Sequence, residues 1–550
     1  MSATNMKTAI SKTRLLLAPM VAVALLLTAT AAFAAAPGIT GPTFNLTAQP
    51  AYLSQPDGAA IYSWGYGCNG APSGYAPASI TTGFCNPMQV PGPTLIVMQG
   101  QPVSVTLTNA LPAAAGNTSI LFPGFNVTAA AAASQPATCA ATTAATRAPQ
   151  GLLTTEASNG CAVTYTFTAS TPGTRAYYSG TQGDLQVEMG LYGAIIVLPS
   201  SVPTACTSPA IRSNLFGVPS YTGTQEEDFR LAAAAYNHPK ACYDREYLFQ
   251  FSEIDPGIHS QASAQVTAKA GCTAGAAGCS LNVATEPYHP AYFMINGRSM
   301  PDDMDSNYAY QYPHQPYNGN PHMHPGELVL LRIIGQGRWQ HPFHEHGNHV
   351  RILARDGNLI LSQSDANSLA GPLLFTTTTT PGLAMDGIYY CTGKGLNWDA
   401  YGHRVSDATP DTTAVQPCVP DPNGYYTSNI SAINYYEWCQ DHDKPVQVAP
   451  FGDVANGGPA TLPDPTIFAN GPWYGGSPYL GPDATTRAVG PTGTTPPSGT
   501  IANSPTSEAG FAFMWHSHNE REITTNNIFP GGMLMMMLVD SREFVIDESN

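Results

Sequence analysis

Two short runs hold the residues best suited to do chemistry in this 550-residue chain: His341-Pro-Phe-His344-Glu345-His346-Gly-Asn-His349 and Met514-Trp-His516-Ser517-His518-Asn-Glu520. Both read as short strand-like segments. Along a strand, side chains alternate faces, so His344 and His346 share a face, and so do His516 and His518. If the two strands are neighbours, four imidazoles converge without straining any loop. Imidazole is a borderline ligand, and four of them favour copper or zinc over calcium or magnesium. Such a site should weaken below about pH 6, where protons compete for the same nitrogens. The bland alternative is histidines satisfied by hydrogen bonds or solvated on a barrel rim. The distribution is lopsided, because the first histidine of the chain is His238.

Other candidates are weaker. His322-Met323-His324 sits in a Pro/Gly-rich stretch and reads first as a solvated loop pair, second as a metal site. Met533, Met535, Met536 and Met537 suit soft Cu(I), but read better as the packing of a buried strand. Glu345, Glu520 and Glu522 would harden the site towards iron or manganese, or are simply solvated.

The elements that must position these residues read as strands. Helical periodicity is scarce, and short β-rich runs sit between Gly, Pro and Asn punctuation, the habit of sandwiches and barrels. Thr94 to Asn109 gives two strands around a turn at Gly100. Tyr247–Glu253, Tyr292–Asn296, His349–Ala354 and Leu374–Thr379 continue the pattern in the second half. Residues 1–34 read as an export leader: basic Lys7, Lys12 and Arg14, an apolar run from Leu15 to Leu27, and Ala32-Phe33-Ala34 as the cleavage site. The protein is therefore expected to be periplasmic or extracellular, with no membrane span once the leader is removed. Without the leader, 18 basic residues face 37 acidic ones, a balance of −19 that argues against nucleic acid or an anionic membrane as partner. The eleven cysteines all follow the leader, so most should be disulfides, with Cys272 and Cys279 able to pair locally. The expected layout is a first domain over 37–200, a connector over 201–245, and a second domain over 246–550 with an insertion at about 399–506.

PGPTLIVMQGQPVSVTLTNAL (Pro91 to Leu111) and MGLYGAIIVLP (Met189 to Pro199) resemble the first cupredoxin domain of multicopper oxidases. GELVLLRIIGQGRWQHPFHEHGNHVRIL (Gly326 to Leu353) and the run from Phe513 to Val539 resemble the copper-bearing last domain. The resemblance implies an all-β fold of tandem cupredoxin-like Greek-key sandwiches, the second enlarged by long loops. It also implies copper as cofactor, with His341 as a type 1 ligand, His344 as a type 2 ligand, and His346, His516 and His518 as type 3 ligands.

The departures from that pattern decide the functional expectation. Ser517 stands where the family has the type 1 cysteine, and Glu522 where it has the second type 1 histidine. The first-domain segments expected to hold histidines read SILFPGF (Ser119 to Phe125) and YYSG (Tyr177 to Gly180). A trinuclear cluster in this family takes four histidines from each of two domains, and here the first supplies none. A neighbouring copy in an oligomer repairs nothing, since its first domain lacks them too. The expectation is an exported copper protein with a reduced, mononuclear histidine site, served by a small-molecule or metal-ion reductant if it is an oxidoreductase at all, and not a full laccase. Two alternatives stay open: a catalytically inactive scaffold or interaction protein of the cell envelope, and a copper-sequestering protein.

Overall fold

The computed structural model describes residues 36–80, 83–206, 227–324, 326–391, 419–428, 476–479, 510–540 and 546–547. The expected leader, most of the expected insertion, Cys418 and Cys439 lie outside the described residues.

Alternation builds the first sandwich. In Pro102–Asn109, Val103, Val105 and Leu107 are buried while Ser104, Thr106 and Thr108 face outward. That strand lies between Thr43–Ser54, to which it runs parallel, and the antiparallel Ala162–Thr168, in a five-stranded sheet. The facing five-stranded sheet pairs Leu95–Met98 with Gly38–Thr40 and Tyr192–Leu198, and Gly173–Tyr178 closes one edge. Trp64, Tyr66, Tyr165 and Tyr177 fill the space between the two layers. Gly100 turns the chain between Leu95–Met98 and Pro102–Asn109 at φ +86°, a conformation open to glycine.

The second sandwich also has two layers. One runs Tyr292–Ile295, Arg245–Ile254, Leu328–Gly335, Ala384–Tyr390, Val350–Arg355. The other runs His322–Met323, Leu534–Asp540, Gly510–Ser517, His341–Glu345, Thr376–Thr379. Phe249, Phe251, Phe343, Phe513, Trp515, Met533, Met535 and Met537 pack between the layers. Three of the four candidate methionines are thus core residues.

A helix over Pro256–Ala268 had not been expected from periodicity. It opens on Asp255, whose carboxylate accepts the Gly257 amide at 2.8 Å, with proline in its first turn. Part of the expected connector is built into the fold: Tyr236, Ala241 and Tyr243 pack against Leu330 and Leu353, and Cys206 is bonded to Cys242. Cys68–Cys85, Cys139–Cys161 and Cys272–Cys279 are the other described disulfides, the last as the spacing suggested.

A polar seam locks the sandwiches together. Thr174 Oγ1 donates to Asp386 Oδ1 at 2.6 Å and accepts from Arg332 at 3.0 Å, and Tyr192 Oη donates to Ser252 at 2.7 Å. These buried groups are mutually satisfied, so sliding one sandwich over the other would strand them.

Candidate metal centre

His341–Glu345 and Gly510–Ser517 are direct antiparallel neighbours, in a register that sets His344 opposite His516, Phe343 opposite Ser517 and Glu345 opposite Trp515. The His518 amide extends the pairing by donating to the Pro342 carbonyl at 2.8 Å. Residues opposite one another and two apart on the same face are within side-chain reach. The His344 ring centroid is therefore 4.8 Å from that of His346, 5.6 Å from His516 and 5.0 Å from His518. His346 and His516 are 5.1 Å apart, with their Nε2 atoms 3.2 Å from each other. The structure brings together four of the five sequence candidates.

The surroundings orient the rings. His516 Nδ1 is 2.7 Å from the Ser517 carbonyl oxygen, which can only accept, so Nδ1 carries the proton and Nε2 is left bare towards His346. His344 Nδ1 lies 2.8 Å from Thr376 Oγ1. The His346 carbonyl accepts from Trp515 Nε1 at 2.9 Å and from Tyr389 Oη at 3.2 Å, pinning the backbone where the strand ends. Hydrogen bonds of this kind to the non-ligating ring nitrogen fix tautomer and aim in metal sites. Burial, followed by the neighbouring rings of His516 and His518, pushes His344 down to about 4, and burial also lowers His516. His344 therefore stays unprotonated well below pH 6. His518 and Glu520 are exposed, so one side opens to solvent.

His341, expected as the ligand of a separate type 1 site, lies apart from the cluster. It is three residues before His344 and so faces the opposite way, into the core with Phe343 and Glu345. Both ring nitrogens are engaged there, Nδ1 at 2.9 Å from Glu522 Oε2 and Nε2 at 3.0 Å from Glu253 Oε2. Burial alone would lower its pKa, but the hydrogen bonds to the two carboxylates, then their charges, reverse this and raise it to about 9. A protonated imidazole has no lone pair for a metal. Ser517, on the same inward face, donates its hydroxyl to Glu522 Oε2. Glu253 accepts in addition from the amides of Arg338 at 2.7 Å and Trp339 at 2.8 Å, and from Tyr288 Oη at 3.1 Å. The place of the expected type 1 copper is filled by a hydrogen-bonded ion cluster.

The remaining candidates sort by face. Glu345 points into the core, where burial raises it to about 8, and Oε1 accepts from Thr377 at 2.6 Å. It does not face the four rings. Glu522 belongs to the His341 cluster. His322 and His324 are buried rather than solvated, with His322 Nδ1 2.6 Å from Asp540 Oδ2. Glu253 went unnoticed, although a lone acid in the otherwise uncharged run Leu248–Ile254 was a usable signal.

In the first sandwich, SILFPGF and YYSG lie side by side: the Leu121 amide donates to the Tyr178 carbonyl at 2.7 Å, and the Tyr178 amide to the Leu121 carbonyl at 3.3 Å. Residues 81–202, which include both segments, match the family model for multicopper oxidase. The chain is multicopper-oxidase-like. The matched span holds no histidine. Among solved structures the chain is similar to the multicopper oxidase mgLAC, at 13% identity, covering 90% of this chain and 86% of that one, with a TM-score of 0.41. It is similar to a blue copper oxidase from Nitrosomonas europaea, at 13% identity, 90% and 85% coverage and a TM-score of 0.41. A copper nitrite reductase from Nitrosomonas europaea matches at 16% identity over 64% of this chain and 85% of that one, with a TM-score of 0.35. No curated protein matches the chain.

Proposed function

We propose that this is an exported copper protein whose second sandwich binds one copper through His344, His346, His516 and His518, without a blue-copper entry site and without a trinuclear cluster. The observation that carries the reading is the pair of Nε2 atoms on His346 and His516, 3.2 Å apart. Two nitrogens held at ~2.0–2.1 Å from one metal ion stand about 3 Å apart, so this pair already has ligand spacing. Among the described residues no three His, Cys, Asp or Glu side chains form a finished metal site as they stand. The reading is therefore of a pair at ligand spacing, with the rings of His344 and His518 beside it to complete the set.

Bound copper would supply one-electron chemistry between Cu(II) and Cu(I). The protein's part is to present the nitrogens. Ser517 holds the proton on His516 Nδ1 and leaves Nε2 free; Trp515 and Tyr389 fix the His346 backbone; the exposed His518 side gives a reductant access. To ligate together, both Nε2 atoms would have to be free of protons, with His346 carrying its own on Nδ1. The first domain lacks imidazoles and Ser517 lacks a thiol, so four-electron reduction of oxygen is not assigned. Elemental analysis with electron paramagnetic resonance on the mature chain tests this. About one copper with nitrogen hyperfine structure, lost in His346→Ala/His516→Ala, is expected. No retained copper would leave an inactive scaffold as the better account, and several coppers per chain a sequestering protein.

A further inference from the structure

A cavity of about 280 Å³ lies between the two sandwiches. Leu121, Tyr178, Ser179 and Gly180, from the two first-domain segments that lack the family's histidines, form one wall. The facing wall is backbone-rich: Gln336-Gly337 and Pro381-Gly382, tied together by the Gly382 amide donating to the Gly335 carbonyl at 2.8 Å. Leu153 and Val187 stand at its sides, and Leu153 is 63% exposed.

We propose that this cleft binds a small, uncharged, mainly apolar molecule of about one fused-ring size, a role separate from the histidine cluster. Three features support it. The volume is near the lower end of the ~300–1,000 Å³ common for ligand pockets, and above the ~150 Å³ of an engineered cavity that takes up benzene. The lining contains no Asp, Glu, Lys, Arg or His, so a charged guest would lose its hydration without gaining a counter-charge. The polar side chains in the wall are largely committed elsewhere: Ser179 Oγ donates to Gln186 Oε1 at 2.7 Å, and Gln336 Nε2 donates to Gly193 O and Gln250 Oε1, both at 3.0 Å.

Two glycines shape the backbone of this wall. Gly337 has φ +66°, and a Cβ there would come within 2.4 Å of Glu253 Oε2. At Gly382, φ is +78° and a Cβ would sit 3.2 Å from the Tyr178 ring. Both positions need the left-handed backbone that glycine tolerates. Tyr178 supplies a hydroxyl that is un-ionised at neutral pH, as tyrosine ordinarily is, and that burial moves further from ionising, a donor suited to a single polar atom on the guest.

Indole and indole-3-acetate differ by a charged arm and make a suitable probe pair. Equilibrium dialysis on the metal-free mature chain should show saturable binding of one indole per chain and at least ~10-fold weaker binding of the acetate. Leu121→Trp, which fills the cleft, should abolish indole binding. If that variant fails to fold, Leu153→Ser at the exposed mouth should still weaken binding several-fold. No saturable indole binding, equal binding of the anion, or affinities unchanged in a folded cleft variant would overturn the proposal. Because no copper is present, each outcome is independent of the histidine site.

Discussion

The buried imidazolium at His341 should make stability depend on pH in a window where few proteins show a histidine effect. Its pKa is raised from 6.5 to about 9, against the lowering that burial alone would give, by hydrogen bonds to Glu253 and Glu522 and by their charges. For a group whose folded pKa lies above its unfolded value, the stabilisation is fully present below about 6.5. It is then lost as pH rises through about 9. At 1.36 kcal/mol per pKa unit, the shift is worth about 3 kcal/mol, an upper figure because water and local relaxation soften buried ion pairs. His341→Gln should destabilise the protein, since two buried carboxylates lose their cation. The loss should be about 3 kcal/mol larger near pH 6 than near pH 9.5. Chemical denaturation of both proteins with disulfides intact, at several pH values, gives the difference curve. A proton–nitrogen correlation spectrum follows the ring directly. Parallel stability curves across that range, or a His341 midpoint below about 7, would refute the ion-cluster argument.

Other outcomes follow from the same geometry. Copper should be lost as pH falls, because protons compete for the ring nitrogens, with His344 competing only near its lowered value of about 4; copper retained unchanged at about pH 3 would show that the cluster is not the site. Elemental analysis after gel filtration across a pH series reads this. No intense thiolate-to-copper band should appear at any copper loading, because Ser517 holds the cysteine's place; absorption spectroscopy during titration checks it. Ser517→Cys should not reduce oxygen to water, and oxygen uptake with peroxide assay should show no four-electron stoichiometry. Trp515→Phe should keep the fold but cost ~1 kcal/mol, from the lost hydrogen bond to the His346 carbonyl, and weaken copper binding.

Much of the fold and the face-sharing of the histidines were legible because they rest on local alternation. His344, His346, His516 and His518 needed only the two-residue strand period and the assumption that their strands are neighbours. That assumption is now a register, with His344 opposite His516. His341, at an odd spacing from His344, lies on the other face, as a residue of a separate site must. Of its partners, Glu522 stands at the other type 1 position of the resemblance, whereas Glu253, 88 residues away on another strand, was not legible. The helix over Pro256–Ala268 escaped because its burial is irregular, with Ile258, His259 and Ala262 inward and no clear apolar stripe. Its Asp-Pro start was visible and went unused.

The strand period also explains why the departures from the multicopper-oxidase pattern come as a set. Ser517 and His341 lie on the inward side of one sheet and Glu522 in the turn that follows Ser517: the hydroxyl and the imidazolium converge on the same oxygen of Glu522. A cysteine at 517 alone would meet a carboxylate and a protonated ring, neither of which offers copper the soft, neutral companions of a blue site. A histidine at 522 alone would remove an anion that holds His341 charged, and leave Ser517 without its acceptor. Glu253 would still hold the far nitrogen of His341, anchored by the Arg338 and Trp339 amides. A blue-copper site at this place would therefore require coordinated change at Ser517, Glu522 and Glu253. The outward histidines share none of these bonds, so their cluster can persist while the inward site does something else.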